Sequence, residues 1–429
     1  MRLSDPPASS YYAAAGALLR GGNREPLVGD VSADVGIVGG GIAGCSAALH
    51  LARRGYRVAL LEARQVGYGA SGRSGGQTIC GFAASQRALQ AQVGADDARR
   101  LFAMSVEGLE LTQALIRDHG IECDYRANHV HAAVKPRHVG ELEEWCRELT
   151  EDYGYRSVRM LDREELRAHV ASDRYCGGLI DSASGHLDPL KYTRGLARAA
   201  EQAGARIFEN TAALSRSGGA SLQVQTPRGV LRCQHLVLCA NAYVDGLAPA
   251  LARRILGVGT FIIATAPLGP ARARTLLPSL AAVADLNWIL DYFRLSADYR
   301  LLFGGRVSYS AVDPPRLAPS MRRRMLRVFP ALGDVDVEYA WGGYVDLTLS
   351  RAPDFGRLAP NVFYLQGFSG HGLVLAGMGG KLAAEALAGT AERFDVFARI
   401  PHRDFPGGPL LRRPSLALAM LYYRLRDLL

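Results

Sequence analysis

The clearest pattern in the chain is a short apolar run, Asp34-Val35-Gly36-Ile37-Val38. It opens into Gly39-Gly40-Gly41-Ile42-Ala43-Gly44 and then into a helix-spaced stretch reaching about Arg54. Gly55 stops that helix, and Arg57 to Leu61 (RVALL) predicts a second strand closing on Glu62. Strand, glycine turn, helix and strand within about thirty residues form one βαβ unit. Before it, residues 1–33 carry Pro6, Pro7, Gly21 and Gly22 and predict an irregular lead-in. After it, 83–151 reads as long amphipathic helices, notably over 97–119 and 137–152.

A helix and a strand (ARIFEN) are predicted within 185–213, then a buried strand over 231–240 (LRCQHLVLCA). The stretch 260–309 is β-like, with 288–296 and 300–309 forming an antiparallel pair. Near the end, 362–366 predicts a strand, 367–372 a loop and 373–387 a helix stopped by Gly389. Strand–loop–helix units at the start, middle and end predict an α/β fold. Its Rossmann-like nucleotide-binding domain would be assembled from separated segments, 30–85, 158–248 and 348–395. The segments 86–157 and 249–347 predict a substrate domain of helices and an antiparallel sheet, with 1–29 a lead-in and 396–429 a C-terminal extension. A ligand cleft is expected between the two domains.

At 429 residues the chain is long enough for two cores, and 48% hydrophobic against 21% charged residues excludes a disordered one. The formal charge of +9 raises the question of nucleic acid. Lysines are only Lys135, Lys191 and Lys381, and the arginines are interleaved with acids. The densest basic run, with Arg322, Arg323, Arg324 and Arg327, reads as one solvated helix face, so no nucleic-acid partner is expected. The seven cysteines form no CxxC pair, and no histidine grouping has metal spacing, which predicts buried thiols and no metal. The opening MRLSDPPASS lacks a basic-then-apolar leader. The longest apolar run, 255–268, is too short for a bilayer and is broken by Gly257, Gly259 and Pro267. The expectation is a cytoplasmic protein without a transmembrane segment.

Three glycine units carry the chemistry. In the first, Gly39 permits the tight turn, Gly41 lets the backbone approach a pyrophosphate, and Gly44 lets the helix pack closely on the sheet. The N–H groups opening the helix at Ile42 and Ala43 suit phosphate oxygens. Glu62, followed by Ala63 and Arg64, is placed to accept hydrogen bonds from adenosine ribose hydroxyls. The second unit runs Gly67-Tyr68-Gly69-Ala70-Ser71-Gly72-Arg73-Ser74-Gly75-Gly76-Gln77. Either it is a plain flexible loop, or its amides and the Ser71, Arg73 and Ser74 side chains lie along pyrophosphate and flavin.

The third unit is Gly367-Phe368-Ser369-Gly370-His371-Gly372, before a helix carrying Gly377, Gly379 and Gly380. Each interior glycine costs about 1 kcal/mol of helix propensity, so these predict close approach to a sheet or a ring. A helix start at Gly370, His371 and Gly372 aimed at a flavin would stabilise its reduced, negatively charged form. His371 adds to this or simply caps the loop. No GxSxG elbow or Walker loop is present.

With these units in place, the sequence resembles the D-amino-acid oxidase superfamily of FAD enzymes, and within it the gamma-glutamylputrescine oxidase-like group of amine oxidoreductases. The resemblance runs nearly end to end. It covers Ser10-Tyr11-Tyr12, DVGIVGGGIAG at 34–44, GYGASGRSGGQ at 67–77, GHLDPLKYTRGLARAA at 185–200, YFRLSADYRLLFGG at 292–305, LSRAPDFGRL at 349–358, QGFSGHG at 366–372 and MLYYRLRDLL at 420–429. It implies that Ala213 and Ala240 lie along the adenosine of FAD. It also implies a substrate pocket containing Tyr292, Arg306, Trp341, Tyr344 and Asp346, with His371, Tyr344 and Asp346 the candidates for a catalytic role.

Two departures matter. Relatives that oxidise α-amino acids clamp the carboxylate with an arginine where this chain has Val345, although Arg300 or Arg306 on a neighbouring strand is an alternative clamp. Asp346 beside Val345 either attracts a distal ammonium or caps a solvent-facing turn. Relatives that tether flavin do so through a histidine near the second unit or a late cysteine. Here Arg73 and Ser74 stand in the first place and no cysteine follows Cys239, so non-covalent FAD is implied.

The implied reaction is hydride transfer from a neutral amine (primary, polyamine or gamma-glutamyl-polyamine) to flavin N5, giving an imine that hydrolyses to an aldehyde. Oxygen or a quinone would then reoxidise the flavin. A secondary-amine or amino-acid oxidase of the sarcosine, proline or D-amino-acid type is the enzymatic alternative. A flavin-binding protein without turnover is the non-enzymatic one. An NAD-dependent dehydrogenase would leave the second and third glycine units unexplained.

Overall fold

A computed structural model of the chain describes residues 10–16, 24–244, 246–308 and 316–406, the side chains of 306–308 excepted. The MLYYRLRDLL block at 420–429 lies outside the described residues. The apolar runs read from the sequence come together in a six-stranded sheet. Its order is Asp354–Ala359, Val362–Gln366, His235–Leu238, Val35–Val38, Val58–Leu61 and Arg206–Phe208. Five of these strands pair in parallel, and Asp354–Ala359 joins antiparallel at one edge. The central strands are buried on both faces, so they read as continuous apolar runs rather than as alternation.

Helices Ile42–Ala52, Pro189–Gln202 and Gly372–Leu387 share the main core beside this sheet through Ala43, Ala47, Tyr192, Leu196, Leu375 and Ala383. Of the interior glycines of the last helix, Gly379 faces the sheet at Phe355 and Leu365, and Gly380 answers to this helix contact. A Cβ on Gly380 would lie 2.6 Å from both the Ala43 oxygen and the Ala47 nitrogen. Ser46 reinforces the crossing by donating to the Gly377 oxygen at 2.6 Å.

A larger, mostly antiparallel sheet runs Val337–Leu347, Leu256–Thr265, Leu301–Ser308, Tyr292–Leu295, Ala282–Asp285, Arg126–Ala133, Gly177–His186 and Gln77–Thr78, with Val158–Leu161 pairing off Gly177–His186. The expected pair at 288–296 and 300–309 is present as Tyr292–Leu295 against Leu301–Ser308. Val158–Leu161 and Gly177–His186, placed by the sequence reading with the nucleotide-binding segments, belong to this larger sheet instead.

Three further differences have local causes. The single strand expected over 231–240 is two, Gly229–Cys233 in a separate four-stranded sheet and His235–Leu238 in the parallel one. The chain switches sheets at Gln234, where the N–H groups of Gln234 and His235 both donate to the Asp34 oxygen. Arg126–Ala133 is a strand inside a stretch read as helical, because its short alternation is framed by helices Ala95–Asp118 and Pro136–Arg147. The lead-in is partly ordered. Tyr12, in helix Tyr11–Gly16, is 1% exposed and donates to the Ser74 oxygen at 3.0 Å.

Candidate active site

The turn after Val35–Val38 is fixed by glycine geometry. Gly39 has φ +109, and a Cβ there would lie 2.4 Å from the Cys239 oxygen. The Gly40 N–H donates to Glu62 Oε2 at 2.7 Å and the Arg64 N–H to Glu62 Oε1 at 2.8 Å, with Ala63 between them. Burial pushes the Glu62 carboxyl upward, and these two backbone donors pull it back toward the ionised form. Glu62 therefore braces the turn as well as facing the end of the strand.

At the helix start, Gly41 is an N-cap without a capping side chain, and no acid lies in the first turn. The Ile42 N–H donates to Ser71 Oγ at 3.0 Å, and the space a Gly41 Cβ would fill is where that hydroxyl sits, 2.8 Å away. An uncapped helix N-terminus, with only a hydroxyl against it and Ala43 and Gly44 next in the turn, is a donor array suited to a dinucleotide pyrophosphate. FAD fits these residues on that ground.

The second glycine unit is an ordered bridge and not a flexible loop. Ala70–Gly72 forms one 3-10 turn, and Thr193 Oγ1 donates to the Ser71 oxygen at 2.9 Å. Arg73 donates through Nε to the Tyr68 oxygen at 2.7 Å and stacks over the Tyr68 ring at 4.5 Å. Its own carbonyl accepts from the Trp341 indole at 3.0 Å. The Ser74 oxygen accepts from Tyr12, and the Gly75 oxygen from Arg294 Nε at 2.6 Å. The Gly76 oxygen accepts from the Leu187 N–H at 2.8 Å, and Gln77 pairs with His186 at the edge of the large sheet.

Ala240 follows Cys239 at the Gly39 turn. Ala213 packs on the core of the four-stranded sheet, two residues after Thr211, whose N–H donates to the Glu62 oxygen at 2.8 Å. The third unit turns through Ser369 at φ +53 and Gly370 at φ +96, and His371 is the N-cap before Gly372.

The expected substrate residues make contacts that the sequence reading did not foresee. Trp341 is 2% exposed, with its N–H taken by Arg73 and its ring edge-on to Tyr12, so it ties the lead-in to the second unit. Asp346 is 1% exposed. Its carboxylate accepts the Gly367 N–H, and its carbonyl accepts from Ser369 at 2.9 Å. Burial pushes its carboxyl up to about 7, against those backbone bonds. It holds the third glycine unit and does not cap an exposed turn.

Tyr292 lies over Gly75 and Gly304, where a Cβ would meet its ring at 2.6 Å and 2.1 Å. Tyr344 stands edge-on to Tyr243 at 6.4 Å. Arg300 is spent on Asp298 at 2.7 Å, on Glu338 and on the Thr265 oxygen, so it offers no carboxylate clamp. The Arg306 side chain lies outside the described residues.

The sequence reading missed a cavity of about 750 Å³ that meets the glycine units at His371 and at Ile79 and Cys80, just beyond Gln77. Tyr292, Trp341, Tyr344 and Asp346 do not line it. Its inner part holds His131, Trp145, Phe102 and the buried Asp181, and its outer part Glu141, Glu144, Glu148, Glu151, Asp152, Arg87 and Arg147. Asp181 is saturated by Tyr155 at 2.8 Å, Ser184 at 2.6 Å and the Ala183 N–H at 3.1 Å. The one available signal was the i, i+2 spacing of His129 and His131, which places both on one face of a strand. Among the described residues no grouping of three or more metal-ligating side chains is present, and no helix is long and apolar enough to cross a membrane.

Residues 34–386 match the family model described as FAD dependent oxidoreductase (DAO). The chain is 42% identical over 420 residues to gamma-glutamylputrescine oxidoreductase of Escherichia coli (strain K12), covering 98% of each chain. It resembles the crystal structure of glycine oxidase from Geobacillus kaustophilus with a TM-score of 0.74 at 20% identity, over 87% of this chain and 99% of that one. L-proline dehydrogenase from P. horikoshii gives a TM-score of 0.70 at 19% identity, over 87% and 98%. These two likenesses concern the fold. With a family match over most of its length and a near full-length relative, the chain belongs to the DAO family of FAD-dependent oxidoreductases.

Proposed function

We propose that the protein oxidises primary amines of the polyamine or gamma-glutamyl-polyamine type, the second being the class named in its Escherichia coli relative. The observation that carries this reading is the charge of the cavity. Six carboxylates line it against two arginines, in a chain whose formal charge is +9. A cation is drawn into such a mouth, and the carboxylate of an α-amino acid is repelled. Arg300 cannot offset that repulsion, since two carboxylates already hold it. An unpaired carboxylate in a desolvated site is costly.

In this reading FAD is held non-covalently by Gly39, Gly41, Ile42, Ala43, Gly44, Glu62, Arg64 and the 70–77 bridge, with Gly370, His371 and Gly372 at its reactive end. Bound there, it supplies the two-electron acceptor. The chain's own part is to hold the turn, present the helix N-terminus, exclude water with Phe102, Trp145 and Leu149, and deliver the amine uncharged. The segments building the parallel sheet would form the cofactor domain, and the larger sheet the substrate domain. Seven free cysteines support a reducing, cytoplasmic setting.

The test is anaerobic bleaching of the bound flavin by putrescine, N-acetylputrescine, alanine, proline and sarcosine. The amines should win. A tenfold advantage for any α-amino acid, about 1.4 kcal/mol in the transition state, overturns the reading.

A further inference from the structure

Resting on that amine reading, we infer that His131 and His371 select for a primary amine, each offering one ring nitrogen to one of its two N–H groups. Both imidazoles line the inner part of the cavity, and they lie close enough for their charges to act on each other. They come from distant parts of the chain, His131 from strand Arg126–Ala133 of the large sheet and His371 from the N-cap of helix Gly372–Leu387. Neither ring has a hydrogen-bond partner among the described residues, whereas Asp181 in the same wall is saturated. The His131 ring is fixed on two sides, edge-on to Trp145 at 4.8 Å and 4.5 Å from His129.

Behind it, His129 is 0% exposed with both ring nitrogens unpartnered, so this end of the cavity is strongly desolvated. Burial pushes His131 and His371 each down to about 4. His131 and Arg351 oppose the charging of His371 further, and the Cys80 thiol beside them is pushed up to about 12 and stays neutral. Each imidazole is therefore uncharged at neutral pH and keeps one lone pair as an acceptor.

A neutral primary amine has two N–H donors for these two acceptors. An N-alkylated amine has one, leaves a buried acceptor unpaired, and brings a methyl group to it. A site built to take a hydrogen bond rejects the analogue that lacks it far more strongly than an apolar pocket does.

The test compares anaerobic flavin reduction by N-acetylputrescine and by its N′-methyl derivative in the holoenzyme and in His131→Phe and His131→Gln. The parent should prefer the primary amine by tenfold or more. His131→Phe should shrink that preference to within about threefold at unchanged flavin content, and His131→Gln, which keeps an acceptor, should retain most of it. Equal slowing of both amines in His131→Phe, with the ratio intact, overturns the inference and leaves the amine reading standing. A parent that neither amine reduces overturns both. A second readout does not depend on turnover or on the folding of a variant. In protein with nitrogen-15-labelled histidine, N-acetylputrescine should move the His131 ring-nitrogen resonance, and its trimethylammonium analogue, which has no N–H, should not. A resonance unmoved by the primary amine also overturns the inference.

Discussion

The glycine cradle and the cavity meet at His371 but are built by opposite means. In the cradle nearly every contact involves backbone. Gly39 turns against the Cys239 carbonyl, the Gly40 and Arg64 N–H groups close on Glu62, and Ile42 N–H meets Ser71. Much of that frame comes from one continuous stretch of chain, so its tolerance for change is set by space and φ. In the cavity the contacts are side chains gathered from the 79–87, 131, 141–152, 179–181 and 371 regions, and what they share is charge and desolvation. On the proposed function, the first region holds an invariant cofactor and needs rigidity, and the second meets a variable substrate.

If that contrast holds, substitutions in the cradle act on stability and flavin retention, and those in the cavity on rate and selectivity. The largest expected effect is Gly39→Ala. Alanine at φ +109 is strained, and its methyl meets a carbonyl at 2.4 Å. Together these cost about 2–5 kcal/mol. Urea unfolding should show that loss with most of the flavin gone. A variant as stable and as yellow as the parent breaks the account of the turn. Next comes Glu62→Ala, which removes the acceptor of two backbone N–H groups and any contact to the cofactor. Flavin affinity should fall by about 1.5–3 kcal/mol, or tenfold to more than a hundredfold, measured as a dissociation constant. An unchanged constant would mean that Glu62 only decorates the turn.

The same contrast explains what could be read from the sequence. The βαβ unit, the glycine bridge and the final strand–loop–helix were legible because each is local, with the informative residues adjacent in the chain. The cavity was not, since Glu144 and His371 are far apart in sequence and only the fold brings them to one wall. Trp341 and Asp346 show a subtler limit. Their place on a strand was legible, but the partners that neutralise them were not. The Arg73 carbonyl satisfies the indole, and the Gly367 N–H binds the carboxylate. The split of 231–240 turned on one carbonyl, that of Asp34, accepting two N–H groups.

Asp346 belongs to the cradle by this logic, and pH tests it. Its carboxyl is raised to about 7 in the folded protein against about 3.9 unfolded, so the unfolded chain gives up this proton first. Its contribution to stability is complete below about pH 4 and is lost as pH rises through about 7. Asp285, also raised to about 7 by burial, behaves in the same way, so the informative quantity is the difference between parent and Asp346→Asn. Relative to the variant, the parent should lose about 1–2 kcal/mol between pH 5 and pH 7. Parallel stability curves would show that this carboxyl is ionised in both states.

The smallest effect belongs to the cavity rim and asks whether its charge is functional. Glu144 and Glu148 face the cavity, and Glu144 pairs with Arg87 at 3.3 Å, with both side chains more than 60% exposed. Such a pair adds little to stability, so the double substitution Glu144→Gln with Glu148→Gln should unfold like the parent. It removes two negative charges and leaves Arg87 uncompensated, which lowers the attraction felt by an approaching cation. For N-acetylputrescine, a monocation in solution, the second-order rate of flavin reduction should fall about threefold at low salt. Putrescine is a dication and feels the same potential twice, so its rate should fall by roughly the square of that factor, about tenfold. Both losses should shrink near 1 M salt, where the Debye length drops to about 3 Å. A loss equal for the two amines, or unchanged by salt, would place the effect in the shape of the mouth and remove charge as the reason amines are preferred.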